Sequence, residues 1–347
     1  MNNTIPYISF LKENRSKSQS HEIFNQRISD SRKVYEKFSD SFILRNCPIC
    51  GCKQYEDMEP FDDRYGIVKC NNCTSIYVNP CPSLEALEYY YNECECNKIL
   101  GKLLKSRVGK KGVIINERSS EVIEIIKKLK AQRKKIRILD IGCNSGAFLY
   151  ELYSLLQEEN LINGISLVGI DIDKNATDKP VSDVFEICHS SAEGFVGNHE
   201  NSFDLILHFE LIEHLHHPYE FLESVQKLLT EGGYTYFHTP NGLGLDNQAL
   251  SYNDFRPLAH AIFPPMHLQA FTTQNILHFL LRVGLKMEEI STPGNFDIDI
   301  VKNFLSSNNK FSFLHSYKTK KDLAGIQRIA RLLGCSSHMA VKAKNKG

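Results

Sequence analysis

Apolar positions along this chain alternate between two periods. Ile136, Ile138, Leu139 and Ile141 form a short apolar run that predicts a buried strand, and Ala147 to Leu156 then carries helical spacing. The same alternation continues. Strands are predicted at Ser166–Ile170, Val184–Cys188, Ser202–His208 and Gly233–His238, the last after a turn at Glu231–Gly233 that follows a helix over Tyr219–Leu229. A helix over Thr273–Val283 stops at Gly284 and feeds a strand at Lys286–Ile290. His338–Ala343 alternates as a final antiparallel strand, after a helical insertion over about 294–337. Strands interleaved with helices in this way predict an α/β fold with a doubly wound sheet.

The N-terminal third has a different pattern. Residues 1–45 are polar with scattered aromatics and predict a helical arm. Residues 46–81 hold Cys47-Pro-Ile-Cys50 and Cys70-Asn-Asn-Cys73, with nineteen residues between the pairs and a strand at Tyr65–Lys69. Two C-x-x-C knuckles at this separation place four thiolates around one tetrahedral Zn²⁺ with no open position, a structural site. Cys52, Cys81, Cys94 and Cys96 lack partner spacing. Over 82–135 a helical connector is expected, its first helix opened by Pro82 and Ser83 with Leu84, Leu87 and Tyr91 on one face.

Composition adds exclusions. Lysine plus arginine equals aspartate plus glutamate at 41 each, so no net field draws the protein to nucleic acid or anionic lipid. No stretch approaches a membrane span. Eleven cysteines without an apolar leader predict thiols and metal in the cytoplasm rather than a disulfide framework.

The chemistry concentrates after the first predicted strand. Asp140-Ile-Gly142-Cys-Asn144-Ser-Gly146 is a glycine-bearing turn into a helix, and the second strand ends on Asp171-Ile172. A carboxylate at that tip suits the hydroxyls of a ribose. Asp140 beside the turn would repel a pyrophosphate but suits a cationic ligand. In these motifs the chain resembles the class I S-adenosylmethionine (SAM)-dependent methyltransferases. The resemblance implies a Rossmann-like seven-stranded sheet spanning 136–347 and a SAM site formed by Asp140, Gly142, Asn144, Gly146, Asp171, Ile172, Ala192, Glu193 and His208. Ser191 stands where that family commonly has an acid for the adenine amino group. The tyrosine-rich helix over Tyr89–Tyr91 resembles a lid in related bacterial enzymes that carry a zinc ribbon ahead of the catalytic fold; aromatic packing under the ribbon is the other reading.

After the fourth strand comes Glu210-Leu-Ile-Glu213-His214. Glu210, Glu213 and His214 stand at i, i+3 and i+4, so one helical turn would aim all three together, toward a divalent cation such as Mg²⁺. With His267 ahead of Phe271-Thr, this set is similar to that of ubiquinone-pathway O-methyltransferases and small-RNA terminal 2′-O-methyltransferases, in which a metal chelates adjacent hydroxyls. Without a metal, His214 or His267 is a general base, with Glu213 beside it. The expected activity is methylation of a small-molecule or glycan hydroxyl. The alternatives are an RNA 2′-O-methyltransferase, a sugar C-methyltransferase, or a SAM-fold binding module without turnover.

Overall fold

The structure, a computed structural model, describes residues 17–99, 117–250, 261–294, 297–304, 311–317 and 319–347. Part of the predicted N-terminal arm and residues 100–116 of the connector lie outside the described residues. Helix α1 (Lys17–Phe38) buries Ile23, Phe24, Ile28 and Val34. Strands β1 (Tyr55–Asp57), β2 (Ile67–Cys70) and β3 (Ile76–Val78) follow as an antiparallel ladder. Helix α2 (Leu84–Glu93) is capped by Ser83, whose hydroxyl accepts from the Ala86 amide at 3.2 Å.

The buried face of α2 is not the expected one. Ala86, Leu87 and Tyr90 are buried, whereas Leu84 and Tyr91 are 60% and 42% exposed. Tyr90 packs with Val34 and Phe38 of α1, which rotates Tyr91 outward.

The second half alternates as the sequence predicts. In order come α3 (Glu117–Lys130), β4 (Ile136–Ile141), α4 (Ala147–Glu158), β5 (Ile165–Asp171), α5 (Lys174–Thr177) and β6 (Glu186–His189). Then follow α6 (Ala192–Phe195), β7 (Phe203–Phe209), α7 (Pro218–Leu228), β8 (Leu229–Pro240), α8 (Leu245–Ala249) and the two-residue β9 (Gln269–Ala270). The described chain ends with α9 (Asn275–Arg282), β10 (Leu285–Ser291), α10 (Asp297–Phe304), α11 (Lys320–Leu332) and β11 (His338–Asn345). Seven strands form one sheet in the order β10-β11-β8-β7-β4-β5-β6, with β11 antiparallel to both neighbours. The turn expected at Glu231–Gly233 lies inside β8, where Gly232 takes φ +74° and the register against β7 shifts.

Alternate residues of the central strands feed two apolar layers. Leu139, Ile141, Val168, Ile170 and Ile206 meet α7 and α9, and Ile138, Leu167, Leu205 and Leu207 meet α3 and α4. The ligand side is therefore the carboxyl end of the parallel strands, at the crevice between β4 and β7 where the strand order reverses.

The small sheet does not stand apart. β9 pairs with β3 and completes a four-stranded sheet in the order β1-β2-β3-β9. Cys47, Ile49, Val68, Cys70 and Tyr77 belong to the same apolar cluster as β4, β5 and α7. The knuckle region and the large sheet share one core.

Candidate active site

Two groups of side chains meet at the strand ends. The first surrounds the glycine turn. Gly142, Asn144 and Gly146 take φ of +76°, +51° and +85°, a left-handed path that glycine adopts at little cost. At Gly146 a side chain would also strike Phe185 at 2.5 Å, so this glycine serves the packing of α4 on β6. Asp171 binds the turn: its carboxylate accepts from the Asn144 amide at 2.7 Å and the Asp173 amide at 2.8 Å. Asn144 closes the loop by accepting from the Ser145 amide at 2.9 Å.

Asp140 is only 3% exposed, and its carboxylate accepts no hydrogen bond from any described residue. Burial pushes its carboxyl up to about 8; the Arg118 guanidinium opposes the shift and the Asp171 carboxylate adds to it. A buried carboxylate without a donor, beside a second carboxylate, fits a ligand that brings its own positive charge. Ile172 stands 73% exposed just beyond β5, an apolar surface free to cover a flat ring. Ala192 is buried and Glu193 exposed; the Ser191 hydroxyl caps α6 by accepting from the Gly194 amide at 3.1 Å.

His208 sits elsewhere. Its position in β7 turns the ring into the α7 layer, fully enclosed, stacked on Phe237 at 4.4 Å and edge-on to Phe221 at 5.0 Å. Neither ring nitrogen has a partner among the described residues, and burial lowers its pKa to about 3. Its place near a strand end predicts a cofactor contact; the two-residue alternation of the strand directs it to the core instead.

The second group follows β7. Glu210 takes φ +51° and Ile212–His214 is a single 3-10 turn, so the expected α-helical spacing does not form. The acids consequently point apart. Glu210 pairs with Arg118 at 3.3 Å and His338 at 3.5 Å, and Arg118 also lies 4.3 Å over the Phe209 ring. Glu213, His214 and His267 converge, each offering a ligand atom within 4.8 Å of the others; Glu210 is not in that set. Leu211 is the hinge between the groups, its methyl carbon 3.3 Å from where a Gly142 side chain would begin.

Glu213 is fully buried. One carboxylate oxygen accepts from the Thr239 hydroxyl at 3.0 Å, while Oε1 has no hydrogen-bond partner among the described residues and lies 3.7 Å from His214 Nε2. Burial, reinforced by Glu210, raises its pKa well above the usual range. His214 Nδ1 is 3.0 Å from the Met266 carbonyl and 3.2 Å from the Tyr91 hydroxyl. A carbonyl only accepts, so Nδ1 carries the proton and Nε2 presents its lone pair toward Glu213. Burial lowers His214 to about 4, so the ring is neutral at pH 7. The His267 ring lies edge-on to it at 4.8 Å. A neutral imidazole whose other nitrogen is held by a carbonyl, beside an unpartnered carboxylate oxygen and a second imidazole, is a donor set suited to a divalent cation.

The knuckle cysteines Cys47, Cys50, Cys70 and Cys73 also converge, with sulfur–sulfur distances of 3.5 Å for Cys47–Cys73 and Cys50–Cys70.

A family profile described as a methyltransferase domain matches residues 115–290, just over half of the chain. The chain belongs to the methyltransferase-domain family. Its sheet is the Rossmann-like sheet of class I SAM-dependent methyltransferases. Among curated proteins it is similar to a ubiquinone biosynthesis O-methyltransferase of Aromatoleum aromaticum, 31% identical over 111 residues that cover 30% of this chain and 44% of that protein. It is likewise similar to the mitochondrial ubiquinone biosynthesis O-methyltransferase of Arabidopsis thaliana, 32% identical over 114 residues covering 30% and 33%. The chain spans less than half the length of these curated relatives. A solved 1,6-didemethyltoxoflavin-N1-methyltransferase of Burkholderia thailandensis is 11% identical, with a TM-score of 0.46 over 84% of this chain and all of that one.

Several site residues carry no readable sequence signal. Arg118, Thr239 and His338 reach the site from α3, β8 and β11. His338 does so because it pairs in register with Pro240, at the carboxyl end of β8.

Proposed function

We propose that this methyltransferase-family chain is a SAM-dependent O-methyltransferase acting on a hydroxyl of a small molecule or glycan. Glu213, His214 and His267 would hold a catalytic divalent ion, and the four knuckle cysteines a structural Zn²⁺. The observation that carries the reading is the pairing of a donor-free buried carboxylate, Asp140, with the convergent Glu213–His214–His267 set across Leu211. Similarity to ubiquinone biosynthesis O-methyltransferases supports hydroxyl over carbon as the acceptor atom. Neutral overall charge disfavours an RNA acceptor, whose binding rests on phosphate neutralisation.

When bound, SAM supplies an electrophilic methyl, and a divalent ion supplies charge that acidifies a hydroxyl. The chain's residues do the rest. Asp140 offers a negative charge to the cationic end of the cofactor, and Arg118, close enough to lower Asp140, offers a cation to its carboxylate end. Asp171 holds the glycine turn in place and keeps lone pairs for ribose hydroxyls. Ile172, exposed just beyond β5, would cover the adenine face. The Tyr91 hydroxyl, on the exposed side of α2, closes the acceptor side over His214.

A second reading follows from the same lone pair. If the turn holds no ion, the neutral His214 Nε2 takes the acceptor proton itself. Metal analysis after dialysis decides: two ions per chain support the ion at the turn, and one ion leaves His214 as the base. Calorimetry with SAM tests the activity class, since no binding at saturating concentration removes it. Turnover against catechols, sugars and nucleotides, with and without chelator, tests the acceptor.

A further inference from the structure

The turn that carries Glu213 and His214 is held from outside the large sheet. Gln269, fully buried in β9, donates through Nε2 to the carbonyls of Ile212 at 2.9 Å and Leu215 at 2.8 Å. The Leu268 amide donates to the Glu213 carbonyl at 2.9 Å. Arg45 donates to the His216 carbonyl at 3.4 Å, the Leu268 carbonyl at 2.9 Å and Gln269 Oε1 at 3.3 Å. Four of the five carbonyls from Ile212 to His216 are thus bound by two β9-side residues and one arginine.

Arg45 lies two residues before Cys47, and its guanidinium stacks 5.7 Å over Tyr77 of β3. The Val78 amide donates to the Leu268 carbonyl at 2.9 Å. The same short segment, Met266–Ala270, supplies the Met266 carbonyl to His214, carries His267, and ends as the fourth strand of the knuckle sheet. A second tie runs from the knuckle to the large sheet's helices, where Arg282 donates to the Ile49 carbonyl, but it does not touch the turn.

We infer that Arg45 and Gln269 are positioning residues through which the four-cysteine knuckle sets the geometry of Glu213, His214 and His267. The knuckle is a component of the acceptor site rather than a separate docking module. A buried guanidinium with planar, forked donors bridges two backbone segments in one orientation, which an aliphatic side chain cannot do. The acceptor-side role rests on the function proposed above; the coupling itself rests only on the contacts just described.

The test uses the full chain loaded with Zn²⁺ and labelled with ¹⁵N-histidine. Arg45→Met and Gln269→Met should shift the His214 Nδ1 and Nε2 resonances and weaken Mn²⁺ binding about tenfold, while SAM affinity stays within about twofold. Arg45→Lys should recover part of the shift. Arg282→Met, which loosens the knuckle without touching the turn, should leave the His214 resonances in place. Unchanged His214 resonances in both methionine variants overturn the inference, as does a parallel loss of SAM affinity, which would mean general unfolding. If Arg45→Met does not fold, Gln269→Met and Arg45→Lys separate the same two outcomes. A wild-type chain that takes no Mn²⁺ refutes the ion at the turn, whereas the resonance shifts still decide the coupling.

Discussion

Replacing His208 by leucine should stabilise this protein against acid. The ring is fully enclosed, both nitrogens lack partners, and burial lowers its pKa to about 3. In the unfolded chain a histidine titrates near 6.5, so the unfolded state takes the proton first. Stability from this residue is complete above about 6.5 and falls as the pH drops toward 3. At pH 5.0 the loss is about 1.5 pH units at ~1.4 kcal/mol each, or about 2 kcal/mol. Leucine does not titrate, so the variant escapes that loss. At pH 7.5 two opposing effects nearly cancel. Removing unpartnered buried nitrogens gains about 1–3 kcal/mol, and losing the stacking on Phe237 and Phe221 costs about 0.5–1.5 kcal/mol per pair. Thermal melts of both proteins at pH 7.5 and 5.0 measure the difference directly. For a chain of 347 residues the gap should widen in the variant's favour by roughly 3 °C on acidification. His214 and His216, both lowered to about 4 by burial, add to the acid loss in both proteins and cancel in the comparison. SAM affinity should not change. Parallel pH slopes would refute the reasoning, because they would mean that the ring is solvated or partnered in the folded state. A fall in SAM affinity would return His208 to the cofactor site.

Asp140, raised to about 8, is protonated in much of the free protein at pH 7, and a cationic ligand would ionise it. SAM binding should therefore release protons and tighten as the pH rises toward 8, measurable by calorimetry in buffers of different ionisation enthalpy; uptake of protons would contradict the assignment. Asp171→Ala should weaken SAM binding at least about tenfold by freeing the glycine turn, whereas His214→Ala should depress turnover about 10²–10⁴-fold with SAM binding intact; equal loss of SAM affinity in both would show the roles to be misassigned. The Glu210–His338 pair needs both charges. Burial opposes the charged His338 ring, but Glu210 outweighs it and raises the pKa to about 9; Glu210, despite its own burial, is held well below the usual carboxylate range. The contribution is present above the ordinary carboxylate range and below about 6.5, and is lost as the pH rises through 9. Both side chains are about one-third exposed, so His338→Gln should cost no more than about 1 kcal/mol at pH 7 in a urea titration and nothing at pH 10.

Much of this protein is legible residue by residue. The strands of the large sheet are read from apolar runs, and Asp140 and Asp171 from their place at strand ends, because those signals are local in sequence. The C-x-x-C pairs are local for the same reason: one tight turn sets two sulfurs. The acidic turn after β7 departs from its sequence pattern because a single backbone angle intervenes. Glu210 in the left-handed region cancels the helical spacing and sends its carboxylate to Arg118 and His338 instead of Glu213. Leu84, Leu87 and Tyr91 share a helical face on paper, but the face buried was chosen by the fit of Tyr90 against α1.

The amino-acid sequence by itself determined the α/β sheet, the carboxylates at the ends of its first two strands and the four-thiol cluster, since each follows from periodicity or from spacing within one turn. Tertiary structure alone decided which acids and imidazoles meet. Arg45 reaches its carbonyl partners across sequence separations of 171 and 223 residues, and Gln269 across 57 and 54. Contacts of that range are selected by the packing of complete elements against one another, and no local pattern of residues encodes them.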